Sequence, residues 1–215
     1  SYIATRAVLD GDHWVVKGTK TWISCGPIAD HLNLMVTVDP GKGRESVRSL
    51  HLRRETSPWE VVRHNKLLGV RAWPNGELRF DNVRVPKEDL LGAKNCGLKI
   101  LMYAFAAERS SGLYALHNSR RYLQQLVEHC RKTVVDGKPL SQDPAVRAKL
   151  GQLAIEAEIG IGLGERLNWM ASRGQDTVKV SNQMKVYGAR VYQRVAQAGQ
   201  EILGLYGQLN EDSRW

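Results

Sequence analysis

The chain has 215 residues, with 31 Lys and Arg against 22 Asp and Glu and a formal net charge of +9. At 42% hydrophobic and 25% charged it is ordinary globular material, long enough to bury a core as one large domain or two small ones. No apolar run approaches the roughly 18 residues of a membrane span, and the basic residues are scattered rather than gathered into the runs that mark nucleic-acid binders.

The opening, Ser1-Tyr2-Ile3-Ala4-Thr5-Arg6-Ala7, reads as strand from the middle of a domain, with neither an initiating Met nor a signal peptide, and a fragment of a longer protein is expected. Residues 1 to about 92 then show short alternating or β-branched runs. These are His13–Val16, Leu32–Val38, Ser49–Leu52, Trp59–Val62, Glu77–Phe80 and Val83–Val85. Turn residues separate them at Asp10-Gly11-Asp12, Pro40–Gly43, Pro74-Asn75-Gly76 and Asp81-Asn82. Many short strands at close spacing predict a small barrel or sandwich.

From about Gly97 the apolar residues change period. Leu98, Leu101, Met102, Phe105 and Ala106 fall at helical spacing, and the helix is expected to run past Arg120 toward Cys130. Asp136-Gly137-Lys138-Pro139-Leu140 breaks it. Ser141 or Asp143 can cap a second helix over residues 144 to about 172, with Pro144 in its first turn. Gly160, Gly162 and Gly164 lower its propensity but permit close packing against a neighbour. A last helix is predicted from Val178 or Ser181 to Leu203, ended by Gly204-Leu205-Tyr206-Gly207. The resulting class is α+β: a β-barrel or sandwich domain over 1–92, then an antiparallel helical bundle over 93–215.

Cys25, Cys96 and Cys130 form no metal-binding or disulfide spacing, and the six histidines show no ligand pattern. No metal site is expected, and a reducing compartment fits. Cys25 reads as a small buried side chain rather than a nucleophile. The informative segment is Gly18-Thr19-Lys20-Thr21-Trp22-Ile23-Ser24, in which the β-rich run Trp14-Val15-Val16 is expected to lead through a turn at Gly18 into the Lys and then Trp-Ile-Ser. An indole can cover one face of a flat ring, while a hydroxyl and backbone N–H groups bond its polar edge.

That segment resembles the flavin-binding stretch of the acyl-CoA dehydrogenase family, roughly G-x-K-x-W-I-[ST]. Further segments in the same order strengthen the likeness. Leu67 to Pro86 is similar to the family's G-x-R…L-x-F-x-x-V-x-V-P stretch, with Trp73 at a usually small position. Phe105-Ala106-Ala107-Glu108-Arg109 is similar to a helix that lines the family's acyl-CoA pocket. Cys130-Arg131 stands where most members carry R-x-x-F-G, without its Phe-Gly. Glu201-Ile202-Leu203-Gly204 lies in a segment similar to Q-x-x-G-G-x-G, with Leu205 at the second Gly.

The resemblance implies a middle β domain and an incomplete C-terminal helical domain, with an N-terminal helical domain before Ser1. It implies FAD bound by Trp22, Ile23, Ser24, Arg131, Glu201, Ile202, Leu203 and Gly204. Ala106 and Arg109 would contact the acyl-CoA substrate. Glu108 would be the catalytic carboxylate, as in the minority of members that take it from this helix. An electron-transferring flavoprotein would accept the electrons, and a homodimer or tetramer would form, in the bacterial cytoplasm or the mitochondrial matrix. The isolated fragment is expected to be inactive. The alternative from another class is a non-catalytic structural subunit of a heteromeric assembly, with Glu108 in a structural ion pair.

Overall fold

The computed structural model describes residues 3–93, 96–109 and 112–209, with the side chains of 106 and 107 excepted. The chain divides into two compact units, Ser1–Ala104 and Phe105–Trp215.

The first unit is built on a mixed six-stranded sheet. Its strands are β1 (Arg6–Asp10), β2 (His13–Ser24), β3 (His31–Thr37), β4 (Val47–Arg53), β5 (Glu60–His64) and β6 (Asn75–Pro86), in the order β4-β3-β1-β2-β6-β5. The β1–β3 pair is parallel and the others are antiparallel. Inward side chains from alternating positions form one core, including Val16, Leu34, Val36, Leu50, Leu52, Leu78, Phe80 and Val85, with Trp14 and Trp59 at its margins.

Two expected breaks are absent. Gly18 does not turn the chain, because β2 runs unbroken through it. It is glycine because a Cβ there would lie 2.8 Å from the Thr5 Cα. Asp81-Asn82 does not separate two strands either. Val16 pairs with Val83 and Gly18 with Phe80, so the pair sits in a bulge within β6, with Asn82 at φ 55°. Local polar composition is the same for a bulge and a turn, and only the continuity of β2 opposite decides between them.

The expected long first helix is described in two stretches, on either side of residues 110 and 111. Helix α1 (Gly97–Arg109) begins in the first unit, and α2 (Gly112–Lys132) follows. A two-residue-per-strand hairpin, β7 (Val134–Val135) with β8 (Lys138–Pro139), turns at Asp136 and Gly137, both at positive φ. Asp143 accepts hydrogen bonds from the Ala145 and Val146 amides and caps α3 (Pro144–Ser172). Helix α4 (Val178–Leu203) ends at Gly204, φ 58°. Leu116, Leu126, Cys130, Ala157, Met184, Val191 and Val195 fill the space among α2, α3 and α4.

Candidate functional site

Strand β2 carries the flavin-like segment to its end, where the pairing with β6 slips between Lys20 and Ile23. Trp22 occupies that irregularity in the left-handed region, φ 60°, an expensive conformation for a bulky residue. Its effect is directional. The indole, which strict alternation would place by parity, is thrown outward and is 61% exposed. Ile23 packs against the sheet core, and Ser24 is exposed. The Asn75 amide lies 3.5 Å from the Ser24 Oγ. Lys20, one step before the slip, is partly buried, and desolvation holds its ammonium pKa below the usual lysine value.

The following loop is tightly tied. Cys25, also at positive φ, donates its amide to the Pro74 carbonyl at 2.7 Å, and its Sγ receives the Trp73 indole N–H at 2.9 Å. The thiol is therefore half-buried and engaged by Trp73. A large exposed aromatic beside an exposed hydroxyl, on a strand end fixed from below, is a surface suited to one face and edge of a flat heteroaromatic ring. The residues present thus fit an isoalloxazine.

On α1, Glu108 is exposed and its carboxylate lies 2.6 Å from the Lys185 ammonium of α4. Arg109 is half-buried, its guanidinium 5.8 Å from the Phe105 ring. The side chain of Ala106 lies outside the described residues. Arg131 is exposed in the last turn of α2. At the end of α4, Glu201 pairs with Lys149, Ile202 and Leu203 are half-buried, and Gly204 turns the chain into a short 3-10 segment, Gly204–Gln208. An apolar cavity of about 300 Å3 adjoins this segment, lined in part by Tyr122, Tyr192, Leu203 and Tyr206. The Tyr122 and Tyr192 rings stack at 6.0 Å, and burial is the main cause pushing the Tyr192 phenol pKa up.

Sequence reasoning passed over a buried carboxylate in the helical unit. Glu156, inside α3, is 7% exposed. It accepts from Gln152 at 2.9 Å and from Arg194 at 2.5 Å, which together hold its carboxyl below the usual range against the opposing effect of burial. The Tyr187 hydroxyl donates to the Glu156 carbonyl at 3.0 Å. The only signal in the sequence was an acid at a helical position otherwise reserved for Leu153, Ala157 and Ile161.

Comparison with known proteins decides the family. Residues 2–83 match the acyl-CoA dehydrogenase middle domain and residues 95–215 match the acyl-CoA dehydrogenase C-terminal domain. The chain belongs to the acyl-CoA dehydrogenase family. It is 28% identical over 206 residues to cyclohexane-1-carbonyl-CoA dehydrogenase of Syntrophus aciditrophicus, covering 95% of this chain and 54% of that protein. Cyclohex-1-ene-1-carbonyl-CoA dehydrogenase of the same organism is 33% identical over 156 residues, 72% of this chain and 37% of its own length. The acyl-CoA dehydrogenase structure from Geobacillus kaustophilus superposes with a TM-score of 0.92 at 27% identity, covering 97% of this chain and 56% of that one. The chain thus spans about half the length of acyl-CoA dehydrogenase relatives that match nearly all of it. The α+β class, with a β domain followed by helices, agrees with the expectation from sequence. Among the described residues no helix is long and apolar enough to cross a membrane, and no group of His, Cys, Asp or Glu could hold a metal ion.

Proposed function

We propose that the whole protein is an FAD-dependent acyl-CoA dehydrogenase that introduces an α,β double bond into an acyl-CoA thioester. The observation that carries this reading is the outward, left-handed Trp22 beside an exposed Ser24 in a chain of this family. Bound FAD would supply a two-electron acceptor for the hydride from the substrate β-carbon, with the electrons leaving to an electron-transferring flavoprotein. Trp22 would cover one face of the ring, Ile23 would set the height of the strand end, and Ser24 would donate to the ring's polar edge. Arg131 and the Glu201–Gly204 segment would take the charged and adenosine portions of FAD. Arg109 and Ala106 would border the acyl-CoA. The middle domain would comprise 1–92 and the helical domain 93–215. A homodimer or tetramer in the bacterial cytoplasm or the mitochondrial matrix completes the proposal.

Glu108 is assigned as the base that removes the substrate α-proton as a proton. Lys185 would orient its carboxylate and must release one oxygen lone pair for that step. The same 2.6 Å ion pair favours a second reading, in which Glu108 is structural and another carboxylate is the base. Full-length protein mixed anaerobically with a saturated acyl-CoA separates the two. If Glu108 is the base, Glu108→Gln retains flavin and loses acyl-CoA-dependent bleaching by about a thousandfold or more. Bleaching at the wild-type rate in that variant would assign the base elsewhere. A full-length protein that takes up no flavin would overturn the dehydrogenase reading.

A further inference from the structure

Two adjacent arginines leave the end of β4 in different directions. Arg53 pairs with Asp89 at 2.8 Å. Arg54 instead reaches under the loop that follows Ser24. Its Nε donates to the Ala29 carbonyl at 2.7 Å, and its Nη2 donates to the carbonyls of Gly26 and Pro27, both at 3.1 Å. Its guanidinium carbon lies 4.4 Å from the centre of the Trp59 ring. The Trp59 indole N–H is a second donor to the Gly26 carbonyl, at 3.1 Å. One planar cation therefore holds three carbonyls of a four-residue loop, and it sits over a buried indole.

The loop transmits this constraint to the proposed flavin seat. Gly26 and Pro27 are buried. A Cβ on Gly26 would stand 2.7 Å from the Ile23 Cγ2 and 2.8 Å from the Leu78 Cδ1, so the loop backbone rests directly on Ile23. On the other side, the Ile28 amide returns to the Cys25 carbonyl at 3.0 Å. Displacing Gly26 therefore displaces Ile23 and Cys25, which flank Ser24 and fix the left-handed step at Trp22. A strained conformation persists only where its surroundings over-determine it. Here Arg54 and Trp59 add their ties to those that Cys25 makes with Pro74, Ile28 and Trp73.

We propose that Arg54, braced by Trp59, is a positioning residue for the flavin seat. It need not touch the cofactor. Its role is to set the direction of the Trp22 indole and the Ser24 hydroxyl by hydrogen-bonding and orienting the carbonyls of the loop that follows them. The geometry is specific to arginine: a lysine has one ammonium on a flexible stem, which cannot span three carbonyls from a fixed fork over an indole. The proposal rests on the reading of Trp22–Ser24 as the isoalloxazine seat, and its test separates the two ideas.

The experiment uses full-length protein stripped of FAD and titrated with FAD. It reads the dissociation constant, the visible circular dichroism of bound flavin and the melting temperature of the apoprotein. Arg54→Met is expected to weaken FAD binding at least tenfold and to alter the flavin dichroism. Arg54→Lys should restore apoprotein melting more than it restores the dichroism. Trp59→Phe, which keeps the ring and loses the N–H donor, should shift the dichroism in the same sense by less. If Arg54→Met does not fold, Arg54→Lys and Trp59→Phe carry the test alone, and wild-type affinity and dichroism in both overturn the proposal. Unchanged flavin binding in Arg54→Met alongside impaired binding in Trp22→Ala would sink the positioning role and leave the seat intact. Unchanged binding in both would remove the seat as well.

Discussion

Trp22 holds a backbone conformation that costs a bulky residue on the order of 1–3 kcal/mol, and it presents a largely exposed indole. Both features oppose stability, so their coexistence makes sense if the indole has a partner. Replacing Trp22 with Gly should relieve the strain while removing the ring. The apoprotein's melting temperature is expected to hold or rise, while its flavin affinity falls. A sharp fall in melting temperature would mean that the indole stabilises the fold itself. The segment's chemistry was legible in the sequence, because an indole and a hydroxyl at that spacing already suggest a flat ligand. The means of exposing them was not. No propensity predicts that a tryptophan will take φ 60°, a state imposed by the register slip against β6 and the bonds beneath the following loop.

At the same scale, Glu156 links α3 to α4 through Arg194. Its folded-state pKa is held down by Gln152 and Arg194, so the folded form binds fewer protons than the unfolded one as pH falls through the carboxylate range. Its contribution is therefore present above its unfolded pKa and lost as pH falls through its folded value. Glu156→Gln should be destabilising by about 1–3 kcal/mol near pH 7, with the gap from wild type closing on acidification. Denaturant melts at pH 7 and in acid measure this. A gap that is constant with pH would show that shape rather than charge matters at the site.

At the scale of the element, close helix packing depends on particular glycines. A Cβ on Gly160 would fall 2.1 Å from the Leu116 Cδ2, and one on Gly164 would fall 2.3 Å from the Leu113 Cδ1, whereas Gly162 has open space around it. The sequence showed three glycines in α3 and the reason for them, but periodicity puts 160 and 164 one turn apart on a shared face and leaves 162 off it. Gly160→Ala is expected to cost about 1–3 kcal/mol. Gly162→Ala should stabilise by about 0.5–1 kcal/mol, the ordinary helix-interior gain. Chemical denaturation of the two variants checks the pair, and equal effects would contradict the packing assigned to α3. The boundaries of α3 and α4 were readable because Asp143, Pro144 and Gly204 are strong local signals.

At the scale of the molecule, each unit has its own core, and their chemistry differs. The first holds the tied strand end with Trp22 and Ser24, and the second holds Glu108, Arg131 and the Gly204 terminus. Order of motifs along the chain, more than any single motif, made the family recognisable. Individual roles in the second unit were less legible because the residues after Arg131 lack the family's Phe-Gly and Leu205 stands at its second Gly, and because the Glu108–Lys185 pair joins residues 77 positions apart. One chemical consequence extends over the helical core. Burial raises the pKa of the Cys130 thiol, so the folded protein keeps that proton after the unfolded chain has released it. Stability should decline as pH rises above the ordinary thiol value, and Cys130→Ala should flatten that alkaline slope in thermal melts. An unchanged slope would place the sensitive group elsewhere.

The most direct measurement of what this strand end does is the equilibrium titration of FAD into full-length apoprotein, wild type against Trp22→Ala, followed by flavin fluorescence. Saturation at one flavin per protomer, with affinity lowered at least tenfold in the folded variant, is the predicted result. Equal affinity in the two proteins, or no flavin uptake by the wild type, would contradict the assignment of Trp22-Ile23-Ser24 as the seat of the ring.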